Sequence, residues 1–206
     1  GLALEGKRPV VEIMWADFLL VALDQIINQA ANIRYLTRGT RTAPIVVRVQ
    51  QGATPGSTAQ HSQSLEAMLA HVPGLRVGLP STADDAYHML RAAIHGADPT
   101  VIIESRALYQ RTGTVWPDAA RQATAGATLR RAGTSVTLLG WGAVMPAVEA
   151  AADALAENCI DVSVLDLRWL SPVDWGQLCA TVSATGGRVV VVHEANLTGG
   201  FGAEIV

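Results

Sequence analysis

Short β-branched runs alternate with helix-length segments along nearly the whole chain, and this alternation narrows the fold more than any other feature. Residues 9–14, 45–49, 75–79 and 100–104 read as strands. They are apolar almost throughout rather than at every second position. Strands buried on both faces carry that pattern, as in a parallel sheet covered by helices. Between them, residues 18–36 read as one long helix, with Asp24, Asn28 and Asn32 forming a polar stripe along it. Residues 62–70 read as a short helix. Ser81 reads as the N-cap of a helix reaching His95, with Asp84 closing a capping box.

The alternation lapses over residues 113–133, which read as an extended linker rich in Gly, Thr, Ala and Arg. It then resumes, with strands at 135–139, 162–167 and 188–192 and a helix at 143–157. Ser171-Pro172-Val173-Asp174 reads as a helix start, with Pro at the first helical position. The expected organisation is α/β in two units: a parallel-sheet domain over 1–112 and a smaller α/β domain over 134–206. At 206 residues, 50% hydrophobic and 16% charged, the composition is that of a chain with a buried core. A net charge of −3 supplies no basic field for tracking phosphates, which argues against nucleic acid as a partner. No apolar run reaches the ~18 residues of a membrane span. Cys159 and Cys179 read as buried free thiols of a reducing compartment. Residue 1 is not Met, and the chain reads as a piece cut at both ends.

Open parallel sheets bind ligands outside the carboxyl ends of their strands. Three segments fall at that edge: Trp15 and Phe18 after the first strand, the loop 50–60 after the second, and residues 105–109 after the strand ending at Glu104. The loop delivers Gln60-His61-Ser62-Gln63 ahead of a helix. Such a polar cluster is costly to bury unless each group is partnered. It is therefore either a solvated helix N-terminus or a site for a polar ligand. An aromatic ring and an imidazole at one edge suit a flat heteroaromatic ligand and a proton-transfer step. From residue type alone, Phe18 reads first as a core anchor of its helix and His61 as a helix cap. His71, His88, His95 and His193 read as structural or solvated.

Longer motifs carry a resemblance. They are Gly6-Lys7-Arg8-Pro9-Val10-Val11-Glu12-Ile13, Ala16-Asp17-Phe18, Asp24-Gln25-Ile26-Ile27-Asn28-Gln29-Ala30-Ala31, Gln60-His61-Ser62-Gln63-Ser64-Leu65-Glu66, His71-Val72-Pro73-Gly74-Leu75, and Glu194-Ala195 with Gly199-Gly200-Phe201. In this order and spacing, the chain resembles the beta subunit of the decarboxylating component of 2-oxo acid dehydrogenase complexes. That family uses thiamine diphosphate, acts on pyruvate or branched-chain 2-oxo acids, and is transketolase-like. The resemblance implies a pyrimidine-binding domain followed by an incomplete transketolase C-terminal domain. It implies an oxidoreductase that decarboxylates a 2-oxo acid and passes the acyl unit to a lipoyl group. The cofactor carries the bond breaking and the protein orients it. By the same resemblance, the beta chain holds the aminopyrimidine. An alpha partner, in an α2β2 heterotetramer, holds the diphosphate through magnesium and a Gly-Asp-Gly motif that this chain lacks. A lipoyl-bearing acyltransferase core is the further partner, and the setting is bacterial cytoplasm or mitochondrial matrix.

Motif position makes Phe18 the aromatic against the aminopyrimidine, with Trp15 and Gln60 beside it, and His61 the active-site histidine. The glutamate that promotes the imino tautomer should precede residue 1. Neither Glu5 nor Glu12 matches its position, so this piece is expected to be nearly inactive. Some members of the family hold a structural potassium ion through main-chain carbonyls, which suit a hard cation. The matching positions are Ile45, Ala93, Ile94, Gly96 and Asp98; a plain helix C-terminal turn is the other reading of Gly96. The loop 51–59 departs from the family, because Thr54-Pro55 and Ser57-Thr58 interrupt its glycines and Pro55 stiffens it. Two other readings stand beside the first: an acetoin dehydrogenase beta subunit, and a non-catalytic assembly subunit whose apolar helices form an interface.

Overall fold

Continuous apolar strands need cover on both faces, and the computed structural model, which describes residues 1–117 and 126–206, provides it. In chain order the elements are β1 (Val10–Ile13), α1 (Ala16–Asp24), α2 (Ile33–Leu36), β2 (Val46–Gln51), α3 (Glu66–Ala70), β3 (Arg76–Gly78), α4 (Ala83–His95), β4 (Thr100–Ser105), β5 (Thr128–Arg131), β6 (Val136–Gly140), α5 (Met145–Glu157), β7 (Val162–Asp166), β8 (Trp169–Ser171), α6 (Trp175–Ala184), β9 (Val189–Val192) and α7 (Gly202–Ile205). The first sheet has the order β1-β2-β4-β3-β8. Its centre is the parallel pair β2 and β4, in register Val47 to Val101 and Val49 to Ile103, with all four side chains buried. The parallel neighbours β1 and β3 flank them. The second sheet, β5-β7-β6-β9, is parallel except for β5.

One strand crosses between the units. β8 leaves the second half of the chain and pairs antiparallel with β3, so the first sheet is mixed rather than purely parallel. Gly78 permits this. A Cβ there would come within 2.8 Å of both Met89 Cε and the Trp169 ring, so only glycine lets that indole approach the strand so closely. Trp169 is fully buried, and the Arg76 guanidinium sits 4.7 Å above it. The apolar core is continuous across the seam: Leu139, Trp141, Leu165 and Leu167 pack in one cluster with Ala16, Leu19 and Val47.

Several elements differ from expectation for identifiable reasons. The long first helix is interrupted by a π-helical stretch over Gln25–Ala31. Wider π turns set residues five apart above one another, which buries both Ile26 and Ala31. The polar stripe survives, with Asn28 Nδ2 donating to Asp24 Oδ1 at 2.7 Å and Asn32 Nδ2 to the Asn28 carbonyl at 3.3 Å. The cap of α4 is Thr82, whose hydroxyl accepts from Asp85 N, rather than Ser81. Ser81 is drawn away to Asp166 Oδ2 at 2.5 Å. Helix α6 begins at Trp175 with Asp174 as its cap, leaving Pro172 outside it. Part of the expected linker, Thr128–Arg131, is strand β5; residues 118–125 of that linker lie outside the described residues. Cys159 and Cys179 are exposed, not buried: the first lies in a left-handed turn just past α5, the second on the outer side of α6.

A buried ionic network locks the seam. Arg130 on β5 contacts Asp85 on α4 and lies 2.8 Å from Asp166 on β7. Arg168 reaches Asp85 from the other side at 3.3 Å. Burial alone would push the Asp85 carboxyl up, but Arg130, Thr82 and Arg168 together hold it below the usual carboxylate range.

Candidate active site

Trp15, Phe18 and His61 meet at the carboxyl edge of the first sheet. Trp15 follows β1 as the cap of α1, and Phe18 lies in the first turn of that helix. Their spacing brings both rings to one side, where they flank the His61 imidazole. Its ring stands edge-on to Trp15 with centroids 4.7 Å apart, and edge-on to Phe18 at 5.5 Å. Edge-to-face contacts of this kind are favourable because a positive ring edge meets a negative ring face. Phe18 remains 49% exposed, so its ring offers an uncovered apolar wall. Gln60 precedes His61 in the same short 3-10 turn, Ala59–His61, and is exposed.

The loop that carries His61 is pinned at several points. Gln51, the last residue of β2, accepts from Leu65 N at 3.2 Å through its side-chain oxygen. Glu194, after β9 in the second unit, accepts from Ala53 N at 2.8 Å. Gly52 lies at φ 104°, a conformation that favours glycine, with Glu194 Oε2 at ordinary contact distance, 3.4 Å, from where a Cβ would stand. Ser62 Oγ donates to the Thr58 carbonyl at 2.6 Å, and Asp17 Oδ1 accepts from Gln63 N at 3.3 Å. The start of α1 and the imidazole are thereby held in register with each other.

Two features here were not singled out from the sequence. The first is Arg106, in the 3-10 turn after β4, whose guanidinium carbon lies 4.4 Å above the Trp15 ring. The second is Glu66, the first residue of α3, only 1% exposed. Gln51 Nε2 donates to Glu66 Oε2 at 2.8 Å, and the carboxyl is buried beside the Trp141 side chain. Burial pushes the Glu66 carboxyl up; the Gln51 hydrogen bond opposes this and the Glu194 charge adds to it. Gln51, Glu66, Ser105, Trp141 and Glu194 line a small cavity of about 20 Å³ at the seam. His193 stacks on Trp141 at 5.0 Å, and burial lowers its pKa. His88 contacts the Trp116 carbonyl at 3.0 Å and lies 3.5 Å from Asp84, a structural placement. Wider grooves of about 480 and 660 Å³ lie elsewhere, between α4 and α5 and beside α6, and neither is lined by Trp15, Phe18 or His61.

The carbonyls matched to potassium are already engaged. Arg8 Nη1 donates to the Ile94 carbonyl at 2.8 Å and also to that of Gly96. The Ile45 carbonyl accepts from Thr100 N at 2.9 Å, that of Ala93 from Gly96 N at 3.2 Å, and that of Asp98 from Thr100 Oγ1 at 3.1 Å. The Arg8 guanidinium thus supplies positive charge at the turn where the resemblance would put a potassium ion. For thiamine diphosphate the fit is divided. The half-exposed Phe18 ring, with Trp15 and His61 beside it, suits a flat aminopyrimidine. Among the described residues, no group of three or more His, Cys, Asp or Glu could hold a metal ion.

Comparison with known proteins identifies the family. Residues 1–112 match the family described as transketolase, pyrimidine binding domain, and residues 125–206 match transketolase, C-terminal domain. The chain belongs to the transketolase family and carries these two domains in that order. Within it, the chain is similar to dehydrogenase beta subunits. It is 40% identical to the acetoin:2,6-dichlorophenolindophenol oxidoreductase subunit beta of Cupriavidus necator, over 95% of this chain and 58% of that protein. It is 38% identical to the mitochondrial pyruvate dehydrogenase E1 component subunit beta-2 of Oryza sativa, over 100% of this chain and 55% of that one. The 2-oxoisovalerate dehydrogenase subunit beta of Pseudomonas aeruginosa is 38% identical, over 100% and 63%. The chain thus spans less than two thirds of the length of these relatives. A solved split gene transketolase, an inactive beta4 tetramer, shares the fold at a TM-score of 0.82 and 22% identity, covering 98% of this chain and 63% of that one.

Proposed function

We propose that this chain is the cofactor-facing part of a 2-oxo acid dehydrogenase beta subunit. In this reading Phe18 and Trp15 form the wall for the aminopyrimidine of thiamine diphosphate. Gln60 contributes from the edge of the wall, and His61 presents a proton donor or acceptor to the substrate and the lipoyl acceptor. The observation that carries it is the convergence of Phe18 and His61, 5.5 Å apart, on one open wall at the carboxyl edge of a parallel sheet. When bound, the cofactor supplies the electron sink for decarboxylation. The chain's own residues stack, orient and move a proton at the imidazole.

An alpha subunit supplies the magnesium–diphosphate half, and a lipoyl-bearing acyltransferase receives the acyl group. Exposed Leu20, Val21, Tyr35 and Leu36 along the first helix suit burial in an α2β2 assembly. Glu12 is paired with Arg48 at 3.3 Å, and Glu5 is exposed in the N-terminal turn. Neither takes the role of the cofactor-activating carboxylate, so the 206-residue chain is expected to turn over little even with its partner. The test is thiamine diphosphate titration of the chain assembled with an alpha subunit. Saturable binding supports the reading; assembly without cofactor binding contradicts it. Two other readings each have one observation behind them. The acetoin reading has behind it the 40% identity to the Cupriavidus protein, which the pyruvate dehydrogenase E1 component subunit beta of Rhizobium meliloti equals at 40%. The exposed apolar side chains of the first helix would equally serve a non-catalytic assembly subunit.

A further inference from the structure

Several arginines near the first sheet are paired with carboxylates, whereas Arg106, like Arg91 over Tyr87, is held by an aromatic ring. Arg48 is gripped by Glu104 at 2.7 Å and by Glu12, Arg34 by Asp98 at 2.7 Å, and Arg130 and Arg168 by Asp85. Arg106 forms no ion pair or hydrogen bond through its side chain among the described residues. Glu104, two positions earlier in sequence, is occupied by Arg48 and by the Tyr109 hydroxyl at 3.1 Å. What holds Arg106 is the face of Trp15, 4.4 Å away, and that same ring is met edge-on by His61. A guanidinium stacked on an indole keeps its planar fork oriented and its N–H edge open. Such a fork matches the two oxygens of a carboxylate.

We infer that Arg106 is the substrate-carboxylate residue of this site: it takes the carboxylate of a small 2-oxo acid in a fork held against Trp15. The inference rests on the function proposed above, which it deepens by assigning the negative end of the substrate. A phosphate ester presents similar oxyanion chemistry, so the test separates the two.

The 15N-labelled chain is titrated with pyruvate, with 2-oxoisovalerate, with neutral pyruvamide and with inorganic phosphate, while the Trp15 indole N–H and the His61 ring signals are followed. The 2-oxo acids should shift both signals, and pyruvamide should shift neither. Arg106→Met should weaken acid binding at least about tenfold, and Arg106→Lys should restore part of it, since a point charge replaces the fork. Equal binding of pyruvamide, unchanged acid binding in Arg106→Met, no shift at all, or tighter binding of phosphate than of pyruvate would each overturn the inference. A second measurement uses the chain assembled with an alpha subunit and thiamine diphosphate, where Arg106→Met should weaken pyruvate binding by a similar factor while leaving the affinity for thiamine diphosphate unchanged. If that assembly binds no thiamine diphosphate, the proposed function fails, while the titration still decides Arg106.

Discussion

Replacing Phe18 by Ala separates a cofactor wall from an ordinary core anchor, because the ring is 49% exposed. Full burial of a Phe side chain is worth about 1.5–3 kcal/mol, so the half already covered supports the fold by about 1 kcal/mol. Covering the open half with a planar ligand is worth about as much again, and ring stacking adds about 0.5–1.5 kcal/mol. Phe18→Ala should therefore weaken thiamine diphosphate binding by about 1.5–2.5 kcal/mol, roughly 10–70-fold. Its cost to folding should stay near 1 kcal/mol. The assays are cofactor titration of the alpha-assembled chain and urea unfolding of the chain alone. Unchanged affinity in a folded Phe18→Ala protein would refute the wall. So would a loss of folding stability above about 3 kcal/mol, which marks a buried core aromatic.

Other substitutions test other parts. His61→Ala should lower the residual reductive acylation of a lipoyl domain that the alpha-assembled chain retains, by about 100-fold or more, while leaving thiamine diphosphate affinity unchanged, as expected for a proton-transfer group; residual acylation equal to that of the unsubstituted assembly would remove His61 from the mechanism. Glu66 keeps its proton in the folded state to a higher pH than in the unfolded chain. Stability should thus fall as pH rises from about 4.3 toward the folded value and level off beyond it. Glu66→Gln preserves the bond from Gln51, so pH-resolved unfolding should show that slope gone; a persisting slope would contradict a protonated Glu66. Asp85 is shifted the other way, so its contribution is present above about pH 4 and is lost as pH falls through its depressed folded value. Arg130→Met should cost about 3–5 kcal/mol at neutral pH by stranding buried carboxylates, and should change the acid limb of unfolding.

Much of the fold could be read from apolar continuity. β2 and β4 are legible because every residue of 45–49 and 100–103 except Arg48 and Thr100 is apolar, and only a strand buried on both faces tolerates that. The expected rank of the first helix was clear from Asp24, Asn28 and Asn32, but its π stretch was not, since it depends on seating both Ile26 and Ala31. β5 and β8 escaped for a shared reason. Each is a short run whose partner is distant in sequence, with β5 lying antiparallel on β7 at the edge of the second sheet and β8 added to the edge of the other sheet, and local pattern holds no trace of such partners. Pro172 and Asp174 looked like one helix start, but only Asp174 caps it, with its side chain accepting from Gln177 N at 2.9 Å. At the site, motif position named Trp15, Phe18, Gln60 and His61, and the fold brings their segments together. Arg106 lay in a segment assigned to the correct edge, yet nothing local indicates that its guanidinium folds onto Trp15. Glu66 was visible only as a motif letter; its burial beside Gln51 and Glu194 requires the second unit to close over it.

The most direct measurement is a structure of the chain assembled with an alpha subunit and thiamine diphosphate. The aminopyrimidine should lie in van der Waals contact with the Phe18 ring, with the His61 imidazole facing the same cavity. A cofactor ring bound elsewhere, with Phe18 and His61 left bare or covered by another chain, would contradict the reading at its root.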